Sequence, residues 1–222
     1  MHLFLNGGGD GAAVADARAK LNQVIEHQKK VLYIPFAWED ETYAGCIEFL
    51  TQELGDVETA GIEMVRSGKE LYEKKISEYA FVYIGGGNTF KLLKILKDSN
   101  CFDKIRDYLA HDGIVWGGSA GAIIFGKDIE SCAMDDRNDV GLMDIAGFDM
   151  INGYSLLCHY TNRDEERTRE TAEYLTELSK KKPVYAIPEE DTIYISDGRM
   201  EMLGSKTYYV FRDGEKKEFK GI

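Results

Sequence analysis

Ser119, His159 and one of several carboxylates are the residues of this chain that could together break an acyl bond. Ser119 stands in Trp116-Gly117-Gly118-Ser119-Ala120-Gly121-Ala122, a serine wedged between small residues. A serine hydroxyl is a poor nucleophile at neutral pH. It needs a base within hydrogen-bond reach, and the base needs an orienting partner. The chain offers four histidines, His2, His27, His111 and His159. An apolar, strand-like run over 151–160 delivers His159 near its end, as a base placed at a strand end would be. The carboxylate must come from the acidic stretch 126–150 (Asp128, Glu130, Asp135, Asp136, Asp139, Asp144, Asp149) or from Glu189, Glu190 or Asp191. Residue types alone do not choose among them.

Attack on a carbonyl also needs donors for the negative charge that builds on its oxygen. The N–H of Ala120, directly after the serine, is one natural donor. Gly85-Gly86-Gly87-Asn88-Thr89 can supply another. Three glycines before a helix start expose several N–H groups together, with Asn88 or Thr89 as the helix cap. A third Gly-rich turn, Gly7-Gly8-Gly9-Asp10-Gly11, fits with Ala12 the loose G-x-G-x-x-A form of a dinucleotide fingerprint. That form is common to tight βα turns in general. Ser119 itself could be no more than the cap of a tight turn.

These residues need elements that bring them to one rim. Residues 2–6, 31–35, 80–84 and 113–116 are short apolar runs that read as buried strands. Helices are expected over 12–30, 41–54, 67–77, 102–111 and 163–180, with a short strand within 57–64. Strands alternating with crossover helices make a parallel sheet, which places ligands beyond the C-terminal ends of its strands. The turns at Gly7, Phe36, Gly85 and Ser119 all lie at such ends. Residues 184–188 read as one more strand. Residues 192–196, 200–203, 208–212 and 215–219 read as an antiparallel tail, turned at Asp197-Gly198 and Asp213-Gly214. The expectation is one α/β domain over 1–222.

Bulk properties narrow the classes. With 222 residues and 44% hydrophobic side chains, the chain can bury a sizeable core. No apolar run approaches the roughly 20 residues that span a bilayer. The N-terminus lacks a signal-peptide pattern, so a cytoplasmic protein is expected. A formal charge of −12 argues against nucleic acid or anionic membranes as main partners. Cys46, Cys101, Cys132 and Cys158 are scattered without metal-ligand spacing, so free thiols and no metal or other cofactor are expected.

Gly85-Gly86-Gly87-Asn88-Thr89, Gly117-Gly118-Ser119-Ala120-Gly121-Ala122 and His159-Tyr160-Thr161-Asn162 together resemble peptidase family S51, which includes α-aspartyl dipeptidases and cyanophycinase. The similarity runs from the first Gly-rich turn to Ile187-Pro188-Glu189. It implies a three-layer α/β/α fold with a mostly parallel, doubly wound sheet, like the class I glutamine amidotransferases, plus a small antiparallel C-terminal extension. It implies a serine-type peptidase of small peptides, as monomer or homodimer, with Ser119 as nucleophile and His159 as base. The register of Asn138-Asp139 before Asp144-Ile145-Ala146-Gly147-Phe148-Asp149 selects Asp139 as the third member, ahead of Asp135 and Asp136. Gly86, Gly87 and Ala120 would form the oxyanion hole, with Asn88 a further substrate contact. Arg167-Thr168-Arg169-Glu170 partly matches the motif that holds an N-terminal aspartate side chain. This marks Arg169 as that cation, ahead of Arg163 and Arg167. The segment between Asn162 and Arg169 is shorter than in the aspartyl dipeptidases, a departure that bears on aspartyl specificity more than on hydrolysis. The alternative is a catalytically degenerate ligand-binding or regulatory protein on the same fold.

Overall fold

The structure, a computed structural model, describes residues 1–40 and 42–221. The strands are β1 (His2–Asn6), β2 (Val31–Ile34), β3 (Ile62–Met64), β4 (Phe81–Ile84), β5 (Ile114–Gly118), β6 (Ser155–Leu157), β7 (Val184–Ala186), β8 (Thr192–Ser196), β9 (Arg199–Leu203), β10 (Thr207–Arg212) and β11 (Glu215–Lys220). The helices are α1 (Ala15–Asn22), α2 (Cys46–Leu54), α3 (Gly68–Glu73), α4 (Thr89–Asp98), α5 (Cys101–Ala110), α6 (Ala120–Ile123) and α7 (Glu165–Ser179). Seven strands form a mixed, mostly parallel sheet in the order β3-β2-β4-β5-β1-β8-β9, so this is an α/β fold with flanking helices. β2 and β4 are buried at every residue, as are Leu3, Phe4 and Leu5 of β1. That unbroken burial marks strands covered on both faces, the condition of a parallel interior.

The strand order decides where the chemistry sits. β5 pairs in parallel with β1 on one side and β4 on the other. The turn at Ser119 therefore emerges between the Gly7 and Gly85 turns. The expected C-terminal tail divides between two sheets. β8 adds antiparallel to β1 and β9 antiparallel to β8, because Ile193, Tyr194 and Ile195 are buried and need cover on both faces. β10 and β11 join a second, four-stranded sheet in the order β11-β10-β7-β6, within which β6 and β7 run parallel. The outer edge of that sheet, β11, is exposed throughout and carries Glu215, Lys216, Lys217 and Glu218, charges that discourage edge pairing.

Several helices are shorter than their apolar spacing predicts. α1 is preceded by a 3₁₀ turn at Gly11–Val14 and closes at Asn22, where the Gln23 N–H already bonds Lys20 O in the tighter 3₁₀ manner. Ile25, counted on that helix face, is still buried. α2 starts at Cys46 rather than 41, because Gly45 takes φ 78°, outside any right-handed helix. The predicted start at residue 41 lies outside the described residues. α7 starts at Glu165 under an Asp164 cap and buries Thr171, Leu175 and Leu178 of the expected stripe. Among the described residues no helix is long and apolar enough to cross a membrane.

A buried acid lies under the active rim. Glu53, on the inner face of α2, is 2% exposed and accepts a hydrogen bond from the Tyr83 hydroxyl. A Cβ added at Gly118 would lie 2.9 Å from that hydroxyl oxygen, so the pair packs directly against the residue before Ser119. Burial pushes the Glu53 carboxyl up from 4.5 to about 7. A raised folded-state pKa favours the native state fully below the unfolded value, and that contribution is lost as pH rises through 7. Stability should thus fall between about pH 4.5 and pH 7, by on the order of 3 kcal/mol from this group. Burial of Asp191, raised to about 6, adds in the same direction. Denaturant unfolding at pH 5 and pH 8 reads this directly. Glu53→Gln should shrink the drop seen in the parent protein; an equal drop in both would remove Glu53 as its source.

Candidate active site

β5 ends in a strained residue. Ser119 has φ 51° and ψ −113°, in the φ > 0 half of the map that side chains rarely adopt. The turn is possible because its neighbours are small. A Cβ on Gly117 would lie 2.2 Å from Gly121 O, and one on Gly121 would lie 2.1 Å from Ile84 O. α6 thus begins in contact with both β5 and the end of β4. The Ser119 N–H bonds Asn6 O at 3.1 Å, and its own carbonyl accepts from Ala122 and Ile123. The side chain is left pointing off the rim, the layout of a nucleophile elbow.

The base and its partner come from the second sheet. His159 follows β6 and Glu189 follows β7, and these parallel strands hold Leu157 opposite Ala186. His159 Nε2 lies 2.8 Å from Ser119 Oγ, and Nδ1 lies 2.7 Å from Glu189 Oε1. With the proton on Nδ1, the ring donates to the carboxylate and can accept from the serine hydroxyl. The carboxylate bonded to His159 is Glu189, a correction to the expectation of Asp139 in that place. Asp139 is exposed in the loop after the 3₁₀ turn at Glu130–Cys132 and makes no ion pair or side-chain hydrogen bond among the described residues. Asp135 and Asp136 do not reach His159 either. Glu189 was open in the reading of residue types, but no signal along the chain separated it from its acidic rivals.

The first glycine turn serves this constellation. Gly7 N–H bonds Asp191 O at 3.0 Å, Gly9 N–H bonds Glu189 O at 3.0 Å, and Gly8 N–H bonds its neighbour Asn6 Oδ1 at 2.8 Å. His159 N–H in turn bonds Gly7 O at 3.1 Å. The amides of all three glycines are thus spent within the protein. Gly8, at φ 109°, lies against the imidazole: an added Cβ would sit 2.0 Å from His159 Cε1. The turn is a clamp that holds the ends of β6 and β7 beside β5.

The second glycine turn faces the serine. A Cβ on Gly86 would lie 3.2 Å from Ser119 Cβ. Gly85 N–H is taken by Ile34 O, whereas the N–H groups of Gly86, Gly87 and Ala120 make no hydrogen bond among the described residues. Asn88 caps α4, with Oδ1 accepting from Lys91 N–H and Nδ2 donating to Arg137 O. Its amide is therefore engaged within the protein on both sides.

A cavity of about 390 Å³ opens in front of Ser119 and His159, and its charged wall consists of Asp135, Asp136 and Arg163. Arg163 grips Asp135 with two bonds, Nη1 to Oδ1 at 2.5 Å and Nη2 to Oδ2 at 2.7 Å. It also donates to the His159 and Cys158 carbonyls. Arg167 pairs with Asp135 as well, and these two guanidinium groups hold the Asp135 carboxyl below its ordinary value although burial opposes them. Arg169, expected to meet an aspartyl side chain, is exposed on α7 and is absent from the cavity wall. Six residues earlier, just ahead of α7, Arg163 occupies the wall instead. All four cysteines are free and buried, and no cluster among the described residues has the make-up of a metal site.

Comparison with known proteins places the chain. The model of peptidase family S51 matches residues 3–203. A peptidase E from a Nostoc species is 30% identical over 200 residues, covering 86% of this chain and 78% of that one. A peptidase E from Escherichia coli is 29% identical over 208 residues, covering 86% and 84%. A crystal structure of a candidate peptidase E protein from Listeria monocytogenes EGD-e superposes with a TM-score of 0.73 at 25% identity, covering 92% of this chain and 98% of that one. A peptidase from an acI-B1 actinobacterium shares the fold, with a TM-score of 0.73 at 15% identity. With a strained serine on its α/β sheet and a family match over nearly its whole length, the chain belongs to peptidase family S51 and is a peptidase of the serine-hydrolase kind.

Proposed function

We infer that the protein is a dipeptidase that hydrolyses small peptides through Ser119, His159 and Glu189. The observation that carries this reading is the unbroken pair of hydrogen bonds from Ser119 Oγ to His159 Nε2 and from His159 Nδ1 to Glu189. His159 takes the serine proton as Oγ attacks the peptide carbonyl, then returns it to the leaving amine. Water repeats the cycle on the acyl-enzyme and releases the acid. Glu189 fixes the ring tautomer and stabilises the imidazolium that forms. The N–H groups of Gly86, Gly87 and Ala120, which make no hydrogen bond among the described residues, would serve as donors to the developing oxyanion. Losing one such donor in comparable sites costs on the order of 100- to 1,000-fold in turnover.

A degenerate, purely ligand-binding site is disfavoured, because both bonds of the relay are formed and the amides beside them are free. A preference for N-terminal aspartate has no support from the cavity wall, where the one arginine is already committed to Asp135. The test has two arms. A serine-directed aryl phosphonate should label Ser119, located by peptide mass analysis, and a panel of unblocked dipeptides should release free amino acids. A protein that neither takes the label nor cleaves the panel would end the serine-peptidase mechanism.

A further inference from the structure

We propose that Asp136 binds the free α-ammonium group of the substrate, so that the site selects peptides by an unblocked N-terminus rather than by an acidic first side chain. This rests on the hydrolytic reading of the same cavity and names the group that sets its substrate class.

The two neighbouring aspartates of the cavity wall have opposite surroundings. Asp135 is bridged by Arg163 and Arg167 and has no charge left to offer. Asp136 pairs with no lysine, arginine or histidine among the described residues. Its Oδ2 accepts the Thr89 N–H at 2.8 Å, which ties it to the first residue of α4 beside Gly87. The adjoining Arg137 carbonyl is held by Asn88 Nδ2, so the segment is fixed over the site at three successive residues. Burial raises the Asp136 carboxyl from its ordinary value, and the Asp135 charge adds to that. An ammonium ion brought into the cavity would relieve both effects, because it supplies the missing countercharge.

The rest of the wall offers no alternative cation site or anion site of equal standing. Four donor contacts already occupy the Arg163 guanidinium, on Asp135, His159 O and Cys158 O. A substrate carboxylate would have to displace Asp135. With Arg163 and Arg167 both turned to Asp135, Asp136 is the carboxylate of this wall that has no cationic partner among the described residues. In an amino-terminal residue the ammonium is two bonds from the carbonyl carbon. A carboxylate that holds it must therefore share the cavity with the nucleophile, and Asp136 and Ser119 line the same one.

Binding to the Ser119→Ala protein tests this without depending on turnover. Calorimetric titration would use Ala-Leu, N-acetyl-Ala-Leu and Asp-Leu. Ala-Leu should bind about 30-fold more tightly than its acetylated form, the scale of one charge-assisted hydrogen bond. Asp-Leu should bind no more tightly than Ala-Leu. Adding Asp136→Asn, which keeps an acceptor for the Thr89 N–H, should erase the acetyl penalty. Adding Asp139→Asn, at the exposed carboxylate of the same loop, should leave it in place. Equal affinity for free and acetylated peptides, or a penalty that survives Asp136→Asn, would overturn the assignment. Phosphonate labelling of the parent protein reports separately on the serine mechanism, so the two failures are distinguishable.

Discussion

Glu189→Gln is expected to lower kcat for dipeptide hydrolysis by on the order of 10⁴-fold, as loss of the orienting carboxylate does in a serine triad. Asp139→Asn should leave kcat unchanged. The contrast follows from which side chain holds His159 Nδ1. A glutamine in place of Glu189 can present either its carbonyl or its amide to that nitrogen. Where the amide faces the ring, Nδ1 must accept, the proton moves to Nε2, and Nε2 can no longer take one from Ser119. Where the carbonyl faces it, the tautomer survives but the imidazolium loses its counter-ion. Both routes slow the step in which charge develops on the ring. Steady-state kinetics of the two purified variants, with circular dichroism to check folding, decide the matter. A large loss in Asp139→Asn with near-normal Glu189→Gln would restore Asp139 to the triad.

Gly8→Ala should cost at least about 100-fold in kcat, the scale of an ångström-level displacement of a reacting group. Two effects act together. The residue sits at φ 109°, which an alanine adopts only under strain. Its new methyl would also fall 2.0 Å from His159 Cε1 and 2.5 Å from Nε2, the nitrogen that meets the serine. The ring or the turn must move, and either displaces the base. Gly11→Ala is the matched control. It stands at φ 51° in the same turn with open space around it. That variant should lose about 1 kcal/mol of stability from backbone strain and keep its kcat. If Gly8→Ala retains full turnover, the turn does not act as a clamp on the imidazole.

The extent to which each feature could be read from the chain depends on how local its cause is. The elbow at Ser119 is a local problem. A sharp strand-to-helix turn crowds Gly117 against Gly121 and Gly121 against Ile84, and small residues in that spacing are its direct trace. The Gly85 turn is legible for the same reason, since free amides before a helix need no distant partner. The Gly7 turn looks alike on paper yet does different work. Its amides are consumed by Glu189, Asp191 and Asn6, partners that the spacing of glycines does not disclose.

The carboxylate and the cation depend on tertiary structure throughout. Glu189 reaches His159 because β6 and β7 lie side by side in parallel, although 30 positions separate the two residues. An acidic loop with seven carboxylates and a second acidic cluster after β7 are equivalent until that pairing is known. The same holds for Arg163 and Arg169, six positions apart: only the packing of that segment shows that Arg163 lines the cavity and that Asp135 claims it. Sequence by itself determined the α/β order, the small-residue turn at Ser119 and the glycine turns, because each rests on contacts between near neighbours or on burial patterns along one strand. Tertiary structure decided which carboxylate bonds His159 and which charged side chains line the cavity beside Ser119, because those depend on the strand order that brings distant, chemically interchangeable side chains to one rim.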